Sequence, residues 1–356
     1  MRFKLGELFC GAGGLAYGAI TATIEDKGYR IIHQWAVDYD KDSCDTYIHN
    51  ICPDNPSSVI CKDVRELDFD TLSDIDALAF GFPCNDYSII GKCAGINGAF
   101  GSLYSYGIEA LKRFKPIWFL AENVGGIRSA DDGRALPKIL GDMRDAGYII
   151  TPHLYKFEEY GVPQARHRVI IVGIREGEAI KYRVPSPEPY AGIDNTCRTA
   201  IENPPIPQWA SNNELTRHSA TVVRRLQYIK PGENVFNADI PEDLSLNVTG
   251  AKMSQTYKRL NPDKPAYTIT GSGGGGSHVY HWCEPRALTN RERARLQTFP
   301  DTYIFYGSKE SVRRQIGMAV PCRGAKIIFE AILRSFTCIE YPWVEANLNK
   351  YGGMSA

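Results

Sequence analysis

The 356-residue sequence has no surplus of charge. Its 41 lysines and arginines balance 41 aspartates and glutamates, so no global field draws in a polyanion. Any nucleic-acid surface must come from where the basic residues lie. No apolar run approaches the roughly 18 residues that a membrane span needs. The opening MRFKLGELFCGAGG has neither the apolar stretch nor the cleavage site of a secretory leader. Ten cysteines are present, yet none forms a CxxC pair and no Cys/His cluster has zinc-ligand spacing. Without a secretory signal, a disulfide framework is not expected. The expectation is a cytoplasmic protein with reduced thiols, one of them open to chemistry, and no metal site.

Residues 1 to about 180 alternate short apolar runs with amphipathic stretches. KLGELF (4–9), IIHQWAVD (31–38), DALAFGF (76–82), PIWFLAENV (116–124) and RVIIVGI (168–174) read as strands. Helices are expected at 13–26, from about Asp40, at 102–114 and at 135–147. Such alternation predicts an α/β fold with a doubly wound, mostly parallel sheet. Sites in such sheets form at the C-terminal ends of the strands, where Cys10, Asp38, Cys84 and Glu122 fall. Between Pro185 and Pro207 six prolines break the chain, and a glycine-rich GSGGGGS (271–277) comes later. Residues 181–308 therefore read as a smaller, loop-rich domain. The chain then returns to the first domain through 309–345, with a helix expected at 324–336.

The chemistry concentrates at strand ends. In ELFCGAGG, Gly11, Gly13 and Gly14 occupy a strand-to-helix turn, where a backbone without side chains can approach a ligand. Asp38 and Asp63 each end an apolar stretch. Each is either a helix N-cap or a partner for the hydroxyl or amino groups of a nucleoside-bearing cofactor. In GFPCNDYS, Cys84 follows a strand and a stiffening proline among polar neighbours. That setting suits a nucleophile better than a core thiol, provided the local field lowers its pKa from about 8.5. Glu122 in FLAENVGG ends a buried run, where desolvation would raise its pKa and make it a proton donor. The alternative is a carboxylate held by backbone amides. Arg166 and Arg168 in QARHR face one side if the segment is extended, either into solvent or toward a ligand oxygen. Two arginine-rich stretches carry the basic character of the second domain. One holds Arg217, Arg224, Arg225 and Lys230, the other Arg286, Arg291, Arg293 and Arg295. Both read as solvated faces or as phosphate contacts.

Taken in order, FCGAGG, GFPC, ENV, QARHR, RALTNRERARLQTFPD and QIGMAVP span nearly the whole chain. This set resembles the DNA (cytosine-5)-methyltransferases, in particular bacterial modification enzymes. The resemblance implies a Rossmann-like S-adenosylmethionine-dependent methyltransferase fold, with 181–308 as a target-recognition domain. It implies that Cys84 attacks C6 of a flipped-out cytosine in double-stranded DNA, that Glu122 acts at N3, and that Arg168 binds O2 with Arg166 in support. Cofactor contacts are implied for Phe9, Cys10, Gly11, Gly13, Gly14, Asp38, Tyr39, Asp63, Val64, Pro83, Leu103 and Ala319. Contacts to DNA are assigned to Ser88, Arg217, Arg224, Arg225, Lys230 and Lys252. A cognate restriction endonuclease, a monomeric state and a bacterial cytoplasm complete the expectation.

The sequence departs from the family pattern at three places. Asn85 stands where a glutamine is usual, Phe100 where a loop arginine is common, and Met318 where GNAVP has its asparagine. Three other readings stay open on residues alone. A dinucleotide-dependent dehydrogenase would use the glycines and Asp38 but leaves Cys84, Glu122 and the paired arginines without a task. A tRNA methyltransferase would keep the chemistry and change the substrate, and a non-catalytic DNA-binding protein would keep only the scaffold. The DNA sequence read by 181–308 has no legible code.

Overall fold

The computed structural model describes residues 1–82, 103–246, 253–274 and 276–352. Expectations resting on Pro83, Cys84, Asn85, Ser88, Phe100 and Lys252 lie outside the described residues.

The apolar runs form a sheet with β1 (Arg2–Leu8) near its centre. To one side lie β3 (Tyr29–Asp38), the two-residue β2 (Thr23–Ile24) and β4 (Val59–Cys61). To the other lie β5 (Ala77–Gly81), β6 (Trp118–Val124), β8 (His167–Arg175) and finally β7 (Tyr148–Lys156). Pairs β4–β3, β3–β1, β1–β5 and β5–β6 are parallel, while β8 runs antiparallel to both β6 and β7. The sheet is thus mixed and mostly parallel.

Strand periodicity of two gives the sheet its two dry faces. Leu5, Ala77, Ala79, Leu120, Ile170 and Val172 pack with helices α1 (Gly14–Thr21) and α9 (Cys322–Thr337). Leu8, Leu78, Phe80, Phe119, Ala121, Val169 and Ile171 pack on the opposite side with α3 (Tyr104–Phe114) and α4 (Ala135–Asp145). Helix α1 stops earlier than the expected residue 26, because Thr23 and Ile24 pair with Tyr29 and Arg30 instead. β-Branched residues favour that extended state. Helix α2 (Lys41–Ile51) begins as expected, capped by the Asp40 carboxylate on Ser43 N–H.

Among the described residues, 186–308 contribute no strand to this sheet. They contain β9 (Val184–Pro185) only at their border, then α5 (Cys197–Glu202), α6 (Ala220–Gln227) and α7 (Asn290–Leu296). Two apolar clusters organise them, one around Ile201, Leu260, Ile269 and Trp282, the other around Leu226, Ile229 and Tyr280. Loops without ladders leave many carbonyls to satisfy, and buried arginines do this. Arg259 donates to the carbonyls of Leu226, Ile229, His281 and Glu284. The chain re-enters the first layer through α8 (Lys309–Met318) and α9, and β10 (Trp343–Val344) pairs with β9.

Gly173 in β8 lies against the Phe119 ring, so closely that an added Cβ would overlap it. Gly173→Ala is expected to lose about 1–3 kcal/mol of stability by overpacking. Urea unfolding with an unchanged midpoint would contradict this packing.

Candidate active site

The turn after β1 docks onto the end of β3. Cys10 N–H donates to the Val37 carbonyl, and Gly11 N–H donates to Asp38 Oδ2 at 2.8 Å. Asp38 Oδ1 takes a second N–H, from Asp40 at 2.9 Å. Asp38 is therefore not the cap of α2, a role that falls to Asp40. Burial nevertheless pushes its carboxyl above the usual range, against the pull of those two amides. Gly11 and Gly13 both hold left-handed backbone, with φ of 52° and 81°, which favours glycine. Among the described residues a Cβ at Gly11 would meet nothing within 4 Å, beside the Asp38 carboxylate. Phe9 also has a positive φ, of 56°.

Tyr39 is 72% exposed at the end of β3. Asp38 pairs with Cys61 across β3–β4, which brings Asp63 to the same edge. Asp63 caps a short turn through Arg65 N–H and pairs with the Arg65 guanidinium, which together hold its carboxyl down near pH 2. Val64, Leu103 and Cys10 are buried, and burial raises the Cys10 thiol well above its usual range. Gly14 packs against Val320 and Ala319, at the end of α8. Met318 just before them is 68% exposed, and its carbonyl faces Arg166.

The second part of the site lies at the end of β6. Glu122 pairs in register with Gly81 of β5, and a Cβ added to Gly81 would stand 3.1 Å from Glu122 Oε2. The carboxylate thus sits over the strand that leads to Phe82, Pro83 and Cys84. Across the antiparallel β6–β8 pair, Val124 opposes Arg168 and Glu122 opposes Ile170, so Glu122 and Arg168 are diagonal neighbours on one face. Arg168 Nε lies 2.8 Å from Glu122 Oε1, and each side chain is 12% exposed. Burial pushes the Glu122 carboxyl above the usual range, partly opposed by Arg168 and then Arg166. The balance leaves a carboxyl biased toward its protonated form beside a fixed cation. Asn123 turns the other way and is buried. Its Nδ2 donates to the Phe82 carbonyl at 3.0 Å, and its Oδ1 accepts from Val124 N–H. It therefore fixes where β5 ends, a tie that its place beside Glu122 only partly signals.

Arg166 and Arg168 do not act as a pair. Arg166 is fully buried and donates to the carbonyls of Ile269 and Gly317, both at 3.0 Å. It joins the loop-rich region to α8. The two guanidinium groups therefore part: Arg168 pairs with Glu122 and Arg166 turns to backbone carbonyls. The physical reason is that β8 starts at His167, so the extended alternation assumed for Arg166 does not reach it. Gln164, overlooked in the sequence, is its companion. It donates to the Leu296 carbonyl and accepts from Ile269 N–H.

The basic stretches also divide. Arg217 and Lys230 are exposed, and Arg224 pairs loosely with Asp243 at 3.2 Å. Arg225 does not share that face: it is buried, donates to the Leu244 carbonyl and lies over the Tyr257 ring. The 286–295 stretch is not a solvated face either, because Arg291 and Arg293 are buried. Arg286 pairs with Glu284 and Glu292, Arg291 serves the carbonyls of Ser211, Pro300 and Tyr303, and Arg295 pairs with Asp301. Seven-residue α7 is packed on most sides, so its charges had to turn inward.

One buried acid escaped the sequence reading. Glu7 on β1 is 1% exposed and accepts from the Tyr47 hydroxyl at 3.1 Å. Burial pushes its pKa up to about 8 from 4.5. A raised folded value means the contribution to stability is whole below pH 4.5 and is lost as pH rises through about 8. Relative to Glu7→Gln, the native protein should lose on the order of 1 kcal/mol per pH unit across that window. Urea unfolding of the two proteins across the window measures it, and parallel pH profiles would contradict it.

A family model described as C-5 cytosine-specific DNA methylase matches residues 3–334. The Type II methyltransferase M.BbvI of Brevibacillus brevis is 55% identical over 360 residues, covering 97% of this chain and 95% of that protein. M.NgoFVII of Neisseria gonorrhoeae, also a Type II methyltransferase, is 40% identical over 342 residues, covering 94% and 87%. Among solved structures, DNMT2 of Spodoptera frugiperda superposes with a TM-score of 0.63 at 15% identity, covering 92% of this chain and 99% of that one. Dnmt2 of S. pombe gives 0.57 at 17% identity, over 96% and 100%. At such identities these structures show the fold alone, the Rossmann-like methyltransferase fold.

Proposed function

This chain belongs to the C-5 cytosine-specific DNA methylases, and we propose that it methylates C5 of a flipped-out cytosine in a specific duplex sequence through a covalent Cys84 adduct. The carrying observation is the Glu122–Arg168 pair, standing at the end of β6 directly over the strand that leads into Cys84. The Cys84 thiolate adds to C6 of the cytosine. Glu122, biased toward its protonated form, donates to N3, so the ring's electron density accumulates at C5 instead of resting as charge on nitrogen. Arg168 binds O2 and holds the same charge. S-adenosylmethionine, when bound, supplies the methyl group as an electrophile. C5 accepts it, then loses its proton to a base as the C5–C6 double bond re-forms and the thiolate leaves, while the N3 proton returns to Glu122. Arg166 supports this indirectly, by setting the entry to β8.

The space beside Gly11 fits the cofactor's nucleoside. The Asp38 carboxylate, fixed by two backbone amides, faces ribose hydroxyls, and the exposed Tyr39 offers a ring at the same edge. Phe9, Cys10, Gly13, Gly14, Asp63, Val64, Pro83, Leu103 and Ala319 complete the proposed contacts. Residues 181–308 are the proposed target-recognition domain, inserted between the 1–180 and 309–345 parts of the proposed catalytic, S-adenosylmethionine-binding domain. Arg217, Arg224 and Lys230 are the candidates for phosphate contact there, with Ser88 and Lys252 from the residues outside the described ones. The names of the bacterial relatives support a role in a Type II restriction-modification system, hence a cognate endonuclease and a bacterial cytoplasm. The enzyme is proposed to act as a monomer.

Duplex DNA carrying 5-fluorocytosine cannot lose the C5 proton and should trap the protein. With S-adenosylmethionine, a denaturation-resistant protein–DNA adduct is expected from the native enzyme and none from Cys84→Ser. An adduct that survives this substitution would remove Cys84 from the role. Glu122→Gln keeps the shape but cannot donate the carboxyl proton. Its methyl-transfer rate should fall roughly 10²–10⁴-fold with duplex affinity retained, and an unchanged rate would overturn the N3 assignment.

A further inference from the structure

Beneath the glycine-rich segment, between α7 and α8, lies a cavity of about 10 Å³. That is room for one water-sized particle. Arg293, Arg313, Lys309, Asn290, His278 and Glu214 line it. Arg293 is 1% exposed, and among the described residues none of its three guanidinium nitrogens has a hydrogen-bond partner. Five N–H donors are thus buried without an acceptor among the described residues, a cost that folded proteins rarely bear, and the one acid in the lining, Glu214, is exposed. The neighbouring cation deepens the problem. Arg313 is buried too, its Nε has no partner, and its nearest acid is the exposed Glu310, 3.8 Å from Nη2. Glu292 beside Arg293 in sequence is already held by Arg286 and by Thr289 N–H. Burial, then Arg313, pulls the Arg293 pKa down to about 10, which still leaves it charged at neutral pH. Burial likewise holds His278 neutral.

From this we propose that the cavity is an anion site, taking one halide-sized anion or a single oxygen of a phosphate entering from outside. Such an anion would accept from Arg293 and Arg313 together and cancel their repulsion. It would also set the height of the glycine-rich segment, because Arg313 lies so close under Gly273 that a Cβ there would overlap its guanidinium. The claim stands apart from the methyl-transfer reading, since it needs only these side chains.

Halide and phosphate are separated by two measurements on the full-length protein. In the first, thermal unfolding is followed in sodium bromide, chloride and gluconate at equal ionic strength. A halide occupant predicts a saturable rise in Tm over gluconate of roughly 2–4 °C, absent in Arg293→Met, and an anomalous bromide peak between Arg293 and Arg313 in crystals. In the second, duplex DNA binding is titrated against gluconate concentration. A phosphate occupant predicts no halide-specific rise, and a log–log salt slope reduced by about one in Arg293→Met. If Arg293→Met does not fold, the bromide peak and the halide series on the native protein decide the first case, and Arg313→Met serves for the second. A native protein indifferent to halide, with no bromide peak and an unaltered salt slope in the variants, would overturn the proposal and leave a water only.

Discussion

The antiparallel register between β6 and β8 is the constraint on which the site depends. Opposing Val124 to Arg168 places the arginine diagonally across from Glu122, on the same face of the sheet. A slip of one residue would send Arg168 to the other face and leave a desolvated carboxylate beneath the end of β5. The same strand, followed backward, runs into Pro163–Arg166, whose backbone and side chains hold Ala266, Ile269 and Gly317. One stretch of chain therefore fixes both the acid of the active site and the attachment of the loop-rich region.

That attachment explains how a region with few ladders is held firmly enough to present a surface. Arg166, Arg259, Arg291 and Arg295 each join several carbonyls or a carboxylate across loops, and Gln164 joins a carbonyl to a backbone N–H, the work that strand pairing does elsewhere in the molecule. Arginine suits this task because its planar fork stays charged and offers five donors. The arrangement makes the region polar inside, with apolar clusters of only modest size around Trp282 and Tyr280. It also leaves few cations free for phosphate, among them Arg217 and Lys230.

The central strands were legible because each is a short apolar run ending in a turn or an acid, as in DALAFGF and PIWFLAENV. β7 was not, since Pro152 and His153 interrupt YIITPHLYK. It pairs only with β8, and an edge strand tolerates a proline that a central one would not. β4 is three residues long and gives no periodic signal. At the site, Glu122 and Asp38 stood out as acids ending buried runs. Asp63, by contrast, caps a turn, the other of the two roles open to it from the sequence. The arginines were read least well. Sequence spacing places charges on a helix or strand face but does not say what packs over that face, and here loops cover α7. Arg293, read as part of a solvated face or a phosphate contact, is among the most buried charges of the described residues.

The account rests on a thiol that follows β5 in the sequence and an acid at the end of β6 acting on carbon. Their common consequence is the identity of the methylated atom. Duplex DNA methylated with S-adenosylmethionine labelled in its methyl group, digested to nucleosides and separated, measures it directly. The label should travel entirely with 5-methyldeoxycytidine. Label in N4-methyldeoxycytidine or N6-methyldeoxyadenosine, or none in DNA at all, would contradict the assignment of Cys84 and Glu122.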